Sequence, residues 1–179
     1  MKRYVALLRG INVSGKNKIA MSELKQAFAE LDFSDIATYL NSGNVIFSSV
    51  TNDIDVLSNK IMLMIKEKFA LDIPVLVVLQ EEIKELLNNT PQWWGNDNKE
   101  VYDNLIFIMP PLSYEEIYRE IGNPKDEYEK VYYYKNAIFW SFSRKDYQKT
   151  NWWSKTANSK VSHMITIRTA NTVRKIAYM

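Results

Sequence analysis

The chain has 179 residues, 46% of them hydrophobic, which is enough for one large or two small domains and for a buried core. It has no cysteine and a single histidine, His163, which excludes disulfides, thiolate metal sites, cysteine nucleophiles and histidine-rich metal centres. The formal net charge of +2 argues neither for nor against nucleic acid. No apolar run approaches the ~20 residues that span a bilayer, and Arg9 cuts short the apolar run after Met1-Lys2-Arg3, so no signal peptide is visible. A cytoplasmic protein without a membrane partner is the expectation.

Taken in order, Tyr4 to Leu8 is a continuous apolar run and predicts a buried strand. The polar stretch Arg9 to Lys18 follows, with two glycines and three cations. Met21, Leu24, Ala27, Phe28 and Leu31 recur at helical spacing. Strands are predicted at 36–40 and 45–47 around the turn cluster Asn41-Ser42-Gly43-Asn44. Ile54 to Phe69 carries the apolar face of a longer helix, and 73–79 is a strand whose Pro74 marks an end or an edge. Strand, helix, strand, strand, helix, strand is the ferredoxin-like βαββαβ order.

A short helix at 80–88 and a Pro/Gly/Asn-rich linker at 89–99 come next, and paired Trp93-Trp94 imply that the linker packs onto something. The element order then recurs: strand 105–109, helix 114–121, a hairpin of 129–134 and 137–142 around Lys135-Asn136, helix 146–160 and strand 165–167. A terminal helix at 171–177 follows. The fold class expected is α+β, two ferredoxin-like halves in tandem with antiparallel sheets. The first half is 1–80, the short helix and linker fill 81–103, and the second half with its extra helix is 104–179. Several strands are apolar on both faces, so the sheet faces opposite the helices need cover; the other half, the linker and the terminal helices are candidates.

Gly10-x-x-x-x-Gly15-Lys16 has the spacing of a phosphate-binding loop after a strand and before a helix. Asn17 stands where Ser or Thr would hold Mg²⁺, and no Walker-B carboxylate follows an apolar run, so an NTPase is not indicated. Two readings remain. Arg9, Lys16, Lys18 and the loop amides contact an anion, with Gly10, Asn12, Gly15 and Asn17 shaping the loop, or the glycines only make a turn. Ser42-Gly43-Asn44 reads as a hairpin turn. The loop after the first strand is expected near the end of the third strand rather than its start, which separates the two motifs.

From Val131 onward there are nine Lys/Arg and one acid, Asp146, which is either a basic face or a merely solvated one. Within it Arg144, Lys145 and Lys149 interleave with Trp152 and Trp153, as in a single-strand nucleic-acid groove, or else the tryptophans pack and the lysines snorkel. Tyr132 to Tyr134 and Phe139 to Phe142 read as core aromatics, since the basic-Gly-aromatic order of RNA-recognition strands is absent. Glu81-Glu82 and Glu115-Glu116 sit at helix starts, where the macrodipole explains them.

Leu8-Arg9-Gly10-Ile11-Asn12-Val13, Gly15-Lys16-Asn17-Lys18 and Met21 resemble the opening of a mainly bacterial family, domain of unknown function sixteen-ninety-seven. Ser42-Gly43-Asn44-Val45 with Phe47, and Arg168, Asn171, Thr172, Val173 and Lys175, resemble its later motifs, with Ser14 for Gly, Ala20 for Pro and Thr169-Ala170 for Asn-Trp as departures. The resemblance implies paired ferredoxin-like halves and brings no activity, metal or cofactor. The functional expectation is a binder of an anionic small molecule or nucleic acid through the 9–18 loop, with Ser42, Asn44, Arg168 and Asn171 as further ligand contacts, and through the basic last third. The alternatives are an enzyme acting on a phosphorylated small molecule, held by Arg9, Asn12, Lys16 and Lys18, and an interaction scaffold built on the excess of Tyr and Trp. The oligomeric state is left open by the sequence.

Overall fold

The first apolar run forms β1 (Lys2–Leu8), the inner strand against which the N-terminal half is built. The structure, a computed structural model, describes residues 1–179 and divides into two units: Met1–Lys84 with Lys175–Met179, and Glu85–Arg174.

In the first unit β1 is followed by α1 (Met21–Ala29), β2 (Ser34–Tyr39), β3 (Asn44–Ser49), α2 (Ile54–Phe69) and β4 (Val75–Leu79). The strands pair antiparallel in the order β2-β3-β1-β4. Alternate residues Tyr4, Ala6, Leu8, Val45 and Phe47 meet Leu24 and Phe28 of α1 and Leu57, Ile61 and Ile65 of α2. The intervening residues Val5, Leu7 and Ile46 are fully buried too, which is why these strands read as continuous apolar runs. The Asp53 side chain accepts the amides of Asp55 and Val56 and starts α2. Pro74 precedes the edge strand β4, where its missing N–H breaks no ladder, and its carbonyl accepts the Arg9 amide at 3.0 Å.

Two helices cross the boundary between the units: α3 (Gln80–Asn88) and, at the C-terminus, α6 (Ala170–Ala177). Within the first unit the Gln80 carboxamide donates to the carbonyls of Ile176 and Met179, both at 2.8 Å, and Arg3 Nε donates to Met179 at 3.1 Å. These bonds fasten the last residues to the unit formed by the first.

The second unit repeats the pattern with β5 (Val101–Ile108), α4 (Tyr114–Ile121), β6 (Glu129–Tyr134), β7 (Ala137–Ser143), α5 (Trp152–Asn158) and β8 (Ile165–Thr169). The antiparallel order is β6-β7-β5-β8. The architecture is thus the expected α+β one of two four-stranded sheets, each with its helices. Ile106, Ile138, Trp140 and Phe142 form the core with Ile117, Ile121 and Trp152. On the opposite sheet face the linker supplies cover: Trp94 is buried edge-on against Phe139, and its Nε1 donates to the Asn104 carbonyl at 2.8 Å.

The single helix expected at 146–160 is two pieces, a 3₁₀ turn at Tyr147–Lys149 and then α5. Thr150 causes the break: its backbone is extended, its hydroxyl donates to the Tyr147 carbonyl at 2.6 Å, and the same oxygen accepts the Trp153 amide at 3.2 Å. The next amides turn to Glu129. This buried carboxylate accepts Asn151 N–H at 2.6 Å, Trp152 N–H at 3.2 Å, Lys125 N–H at 3.1 Å and the Trp140 indole N–H at 3.0 Å. It caps α5 from another element and fixes the central core tryptophan. In return α5 caps α4. Asn151 Nδ2 donates to Ile121 and Asn123 carbonyls at 2.9 and 2.8 Å, Lys155 Nζ to Ile121 at 2.8 Å, and Trp152 Nε1 to Gly122 at 3.0 Å.

Glu129→Ala strands four donors at once. It is expected to lower unfolding stability by about 3 kcal/mol, against under ~0.5 kcal/mol for the exposed Glu127→Ala, as read by urea denaturation. Equal midpoints for the two variants would contradict the capping role.

Candidate functional site

The 9–18 loop is a miniature hairpin. Asn12 N–H donates to Asn17 O at 3.1 Å and Lys16 N–H to Val13 O at 2.9 Å, with Ser14 and Gly15 at φ +49° and +77° in the two-residue turn. Both asparagines are staples. Asn12 Oδ1 accepts the Ile19 amide, and its Nδ2 donates to the Ile19 and Asn41 carbonyls, all at 2.9 Å. Asn17 Nδ2 donates to Gly10 O at 2.9 Å. Buried Ile11 and Ile19 anchor the two ends. The amides of Asn12, Lys16 and Ile19 are therefore turned into the loop's own pairing, whereas an anion nest needs successive amides that converge on the ligand. What the tip presents outward is the exposed Lys16 and Lys18, neither of which has a side-chain partner. Arg9 is half-buried, and burial lowers its guanidinium from the ordinary arginine range.

The separation expected between this loop and the Ser42-Gly43-Asn44 turn is corrected by the register. Antiparallel neighbours set the end of one strand beside the start of the other, and Leu7 pairs with Asn44. Leu8 N–H donates to Gly43 O at 2.8 Å, and Asn12 reaches Asn41. Gly43 is required there: φ is +77°, and an added Cβ would lie 2.7 Å from Leu8 Cβ. Ser42 is exposed, while Asn44 is buried with Nδ2 donating to Tyr39 O at 2.8 Å and Ser42 Oγ at 3.0 Å.

The remaining expected residues lie in the second unit. Arg168 is buried, donates to Thr166 Oγ1 at 2.8 Å and Ile167 O at 2.9 Å, and burial pushes its guanidinium down to about 10, so it stays charged at neutral pH. Asn171, at the start of α6, is exposed and accepts Arg174 at 3.2 Å. Trp152 is fully buried and unavailable for stacking. Lys149 pairs with Asp146 at 2.8 Å, which raises the lysine and lowers the carboxylate from their ordinary values. Lys145 is exposed. Trp153 is 44% exposed and leans edge-on against Phe142 and Tyr147 at 5.4 and 4.9 Å.

Arg144 differs from the other cations. Its guanidinium carbon lies 4.1 Å from the centre of the Tyr102 ring, and Nε donates to Val101 O at 3.2 Å. Its terminal nitrogens make no hydrogen bond within the protein. It stands on the wall of a cleft of about 350 Å³ lined also by Lys99, Tyr102, Thr169, Asn171 and Arg174. Of the other lining charges Lys99 is exposed and unpaired, and the rest are held within the protein. Arg174 holds the Gly95 carbonyl and Asp97, while Asp103 accepts Gly95 N–H at 2.9 Å and the Ser141 hydroxyl at 2.5 Å. Thr169 Oγ1 accepts the Thr172 amide at 3.4 Å, leaving Ala170 and Asn171 amides without an intrahelical partner at the lip. Tyr102, Lys99 and Arg174 were missed by the sequence reading, because only the Tyr102–Phe142 register across β5 and β7 brings Arg144 onto Tyr102. No group of three or more His, Cys, Asp or Glu side chains is gathered to hold a metal, and no helix is long and apolar enough to cross a membrane.

Fold and motifs define a tandem α+β protein of two ferredoxin-like halves. The chain belongs to the family described as Protein of unknown function (DUF1697), whose model matches residues 1–139. It is similar to a solved structure described as conserved bacterial protein SP0830 from Streptococcus pneumoniae, at 30% identity and a TM-score of 0.85, over 98% of this chain and 97% of that one. A second solved structure, the first two RRM domains of yeast Poly(U) binding protein (Pub1), aligns at 13% identity and a TM-score of 0.26 over 94% and 99% of the chains, which carries no argument. No curated protein matches the chain.

Asn12→Ala removes three bonds and is expected to cost about 2 kcal/mol and to speed hydrogen exchange at the Ile19 amide. Lys16→Ala, at the exposed tip, is expected to change stability by under ~0.5 kcal/mol. An Ile19 amide equally protected in both variants would rule out stapling by Asn12.

Proposed function

We propose that this protein binds an anionic ligand and takes it in the cleft of the second unit. The observation that carries this reading is the Arg144 guanidinium, stacked on Tyr102 and tied through Nε, with its terminal nitrogens facing the cleft unpaired by protein. An arginine held in this way has already lost much of its rotamer freedom. Its fork of N–H donors can then meet a phosphate or carboxylate in bidentate fashion with little further ordering. Lys99 adds an exposed positive charge, and the first amides of α6 add two donors. Lys99, Arg144 and Arg174 against Asp97 and Asp103 leave the lining of the cleft with a formal charge of +1.

The hairpin tip of the first unit offers a second cationic point in Lys16 and Lys18, favoured by their exposure and lack of partners. Three of its amides, those of Asn12, Lys16 and Ile19, are already in use, which favours a contribution of charge.

Titration calorimetry with inorganic pyrophosphate tests the reading. Binding is expected at low salt and weakens between about 50 and 200 mM salt. Arg144→Ala is expected to lower affinity about tenfold or more, while the Lys16→Ala, Lys18→Ala double variant stays within about twofold of the parent. No binding at low salt, or an Arg144→Ala variant that binds like the parent, would sink the proposal. A loss confined to the lysine variant would move the site to the hairpin tip.

A further inference from the structure

Resting on that reading, we infer that the ligand of this cleft is a single-stranded nucleic acid, whose backbone lies on Arg144 and whose bases stack on the aromatic strip leading away from it. The strip is continuous. Tyr102 lies 5.4 Å from Phe142, Phe142 lies 5.4 Å from Trp153, and Trp153 lies 4.9 Å from Tyr147. Phe142 is buried and belongs to the core, so it fixes the rings on either side of it. Those two are exposed large aromatics, Tyr102 at 38% and Trp153 at 44%. A small anion satisfied by Arg144 and the α6 amides has no use for Trp153, two ring-to-ring steps of 5.4 Å away. A chain carrying both charges and planar faces uses all of it.

The charge along the strip fits the same occupant. Arg144 and Lys145 leave the end of β7 toward the 3₁₀ turn, and the one acid there, Asp146, is neutralised by Lys149. Within 144–149 the three cations Arg144, Lys145 and Lys149 against Asp146 give a net +2, while exposed Asp126 and Glu127 line the adjoining hollow beside Phe142. Arg144 itself is exposed where it lies over Tyr102, and arginine side chains are among the groups on which bases stack. A duplex hides its base faces in its own stack and offers the strip only phosphates, so a single strand is the form that matches both features. Contacts to ring faces and backbone imply little preference among bases.

The test is fluorescence anisotropy of the full chain with a labelled single-stranded RNA of roughly 12 nucleotides, alongside the pyrophosphate titration. The single strand is expected to bind at low salt, more tightly than its annealed duplex. Trp153→Ala is expected to weaken the single strand about tenfold and to leave pyrophosphate binding unchanged, and Arg144→Ala to weaken both. Trp153→Leu, which keeps apolar bulk without a ring, gives the same split if stacking is the contact, and serves should the alanine variant unfold. Pyrophosphate binding without single-strand binding, duplex bound as tightly as the single strand, or unchanged single-strand affinity in the Trp153 variants overturns this inference and leaves the anion reading standing. Absence of pyrophosphate and oligonucleotide binding together removes both.

Discussion

The second unit is organised by one buried carboxylate. Glu129 sits at the start of an edge strand, where a charge has no apolar partner to offer. The unit supplies backbone amides from two different segments and an indole N–H instead. Hydrogen bonds to an ionised acceptor are the strong kind in a low-dielectric interior, and leaving such a charge without them is expensive. The position of α5 is a consequence. With Asn151 and Trp152 amides on Glu129, Trp152 must enter the core and Trp153 must face outward over Phe142. The side chains of the same turn then close the carbonyl end of α4. One carboxylate thus sets a core residue, two helix ends and the exposed ring of the aromatic strip.

In the first unit the comparable constraint is the contact of β1 with the turn before β3. Gly43 lets two backbones approach more closely than any Cβ allows, and Asn12 ties the loop to that turn by one bond and to Ile19 by two. The most specific motif of the chain is therefore explained in large part by folding. Its glycines and asparagines at positive φ make a hairpin that would be strained with other residues. The cations of the motif are a separate matter, because neither the Lys16 nor the Lys18 side chain contributes to that structure.

Much of the architecture was legible in the sequence because its signals are local. Leu24 and Phe28, or Ile61 and Ile65, declare a helix face by spacing, and Pro74 and the turn at Lys135 mark strand ends wherever the strands go. The error over the two loops near β1 was one of geometry, not of signal: antiparallel pairing itself places Asn44 beside Leu7. The helix expected at 146–160 failed for a different reason. Its composition tolerates a helix, and the break at Thr150 is made by a hydroxyl bonded on both sides and by a distant carboxylate that no local window contains.

The sequence by itself determined the strands, the helices, their tandem order and the family, since period, turn chemistry and motif are properties of neighbouring residues. It also marked 144–155 as a stretch of cations and aromatics. It did not separate Trp152 from Trp153, because composition treats them alike, while successive residues of a helix point about 100° apart. Nor did it join Arg144 to Tyr102, forty-two positions earlier, which strand pairing alone brings within 4.1 Å. Those choices belong to the tertiary structure, for burial, stacking and unpaired donors are fixed by what lies opposite a residue in space.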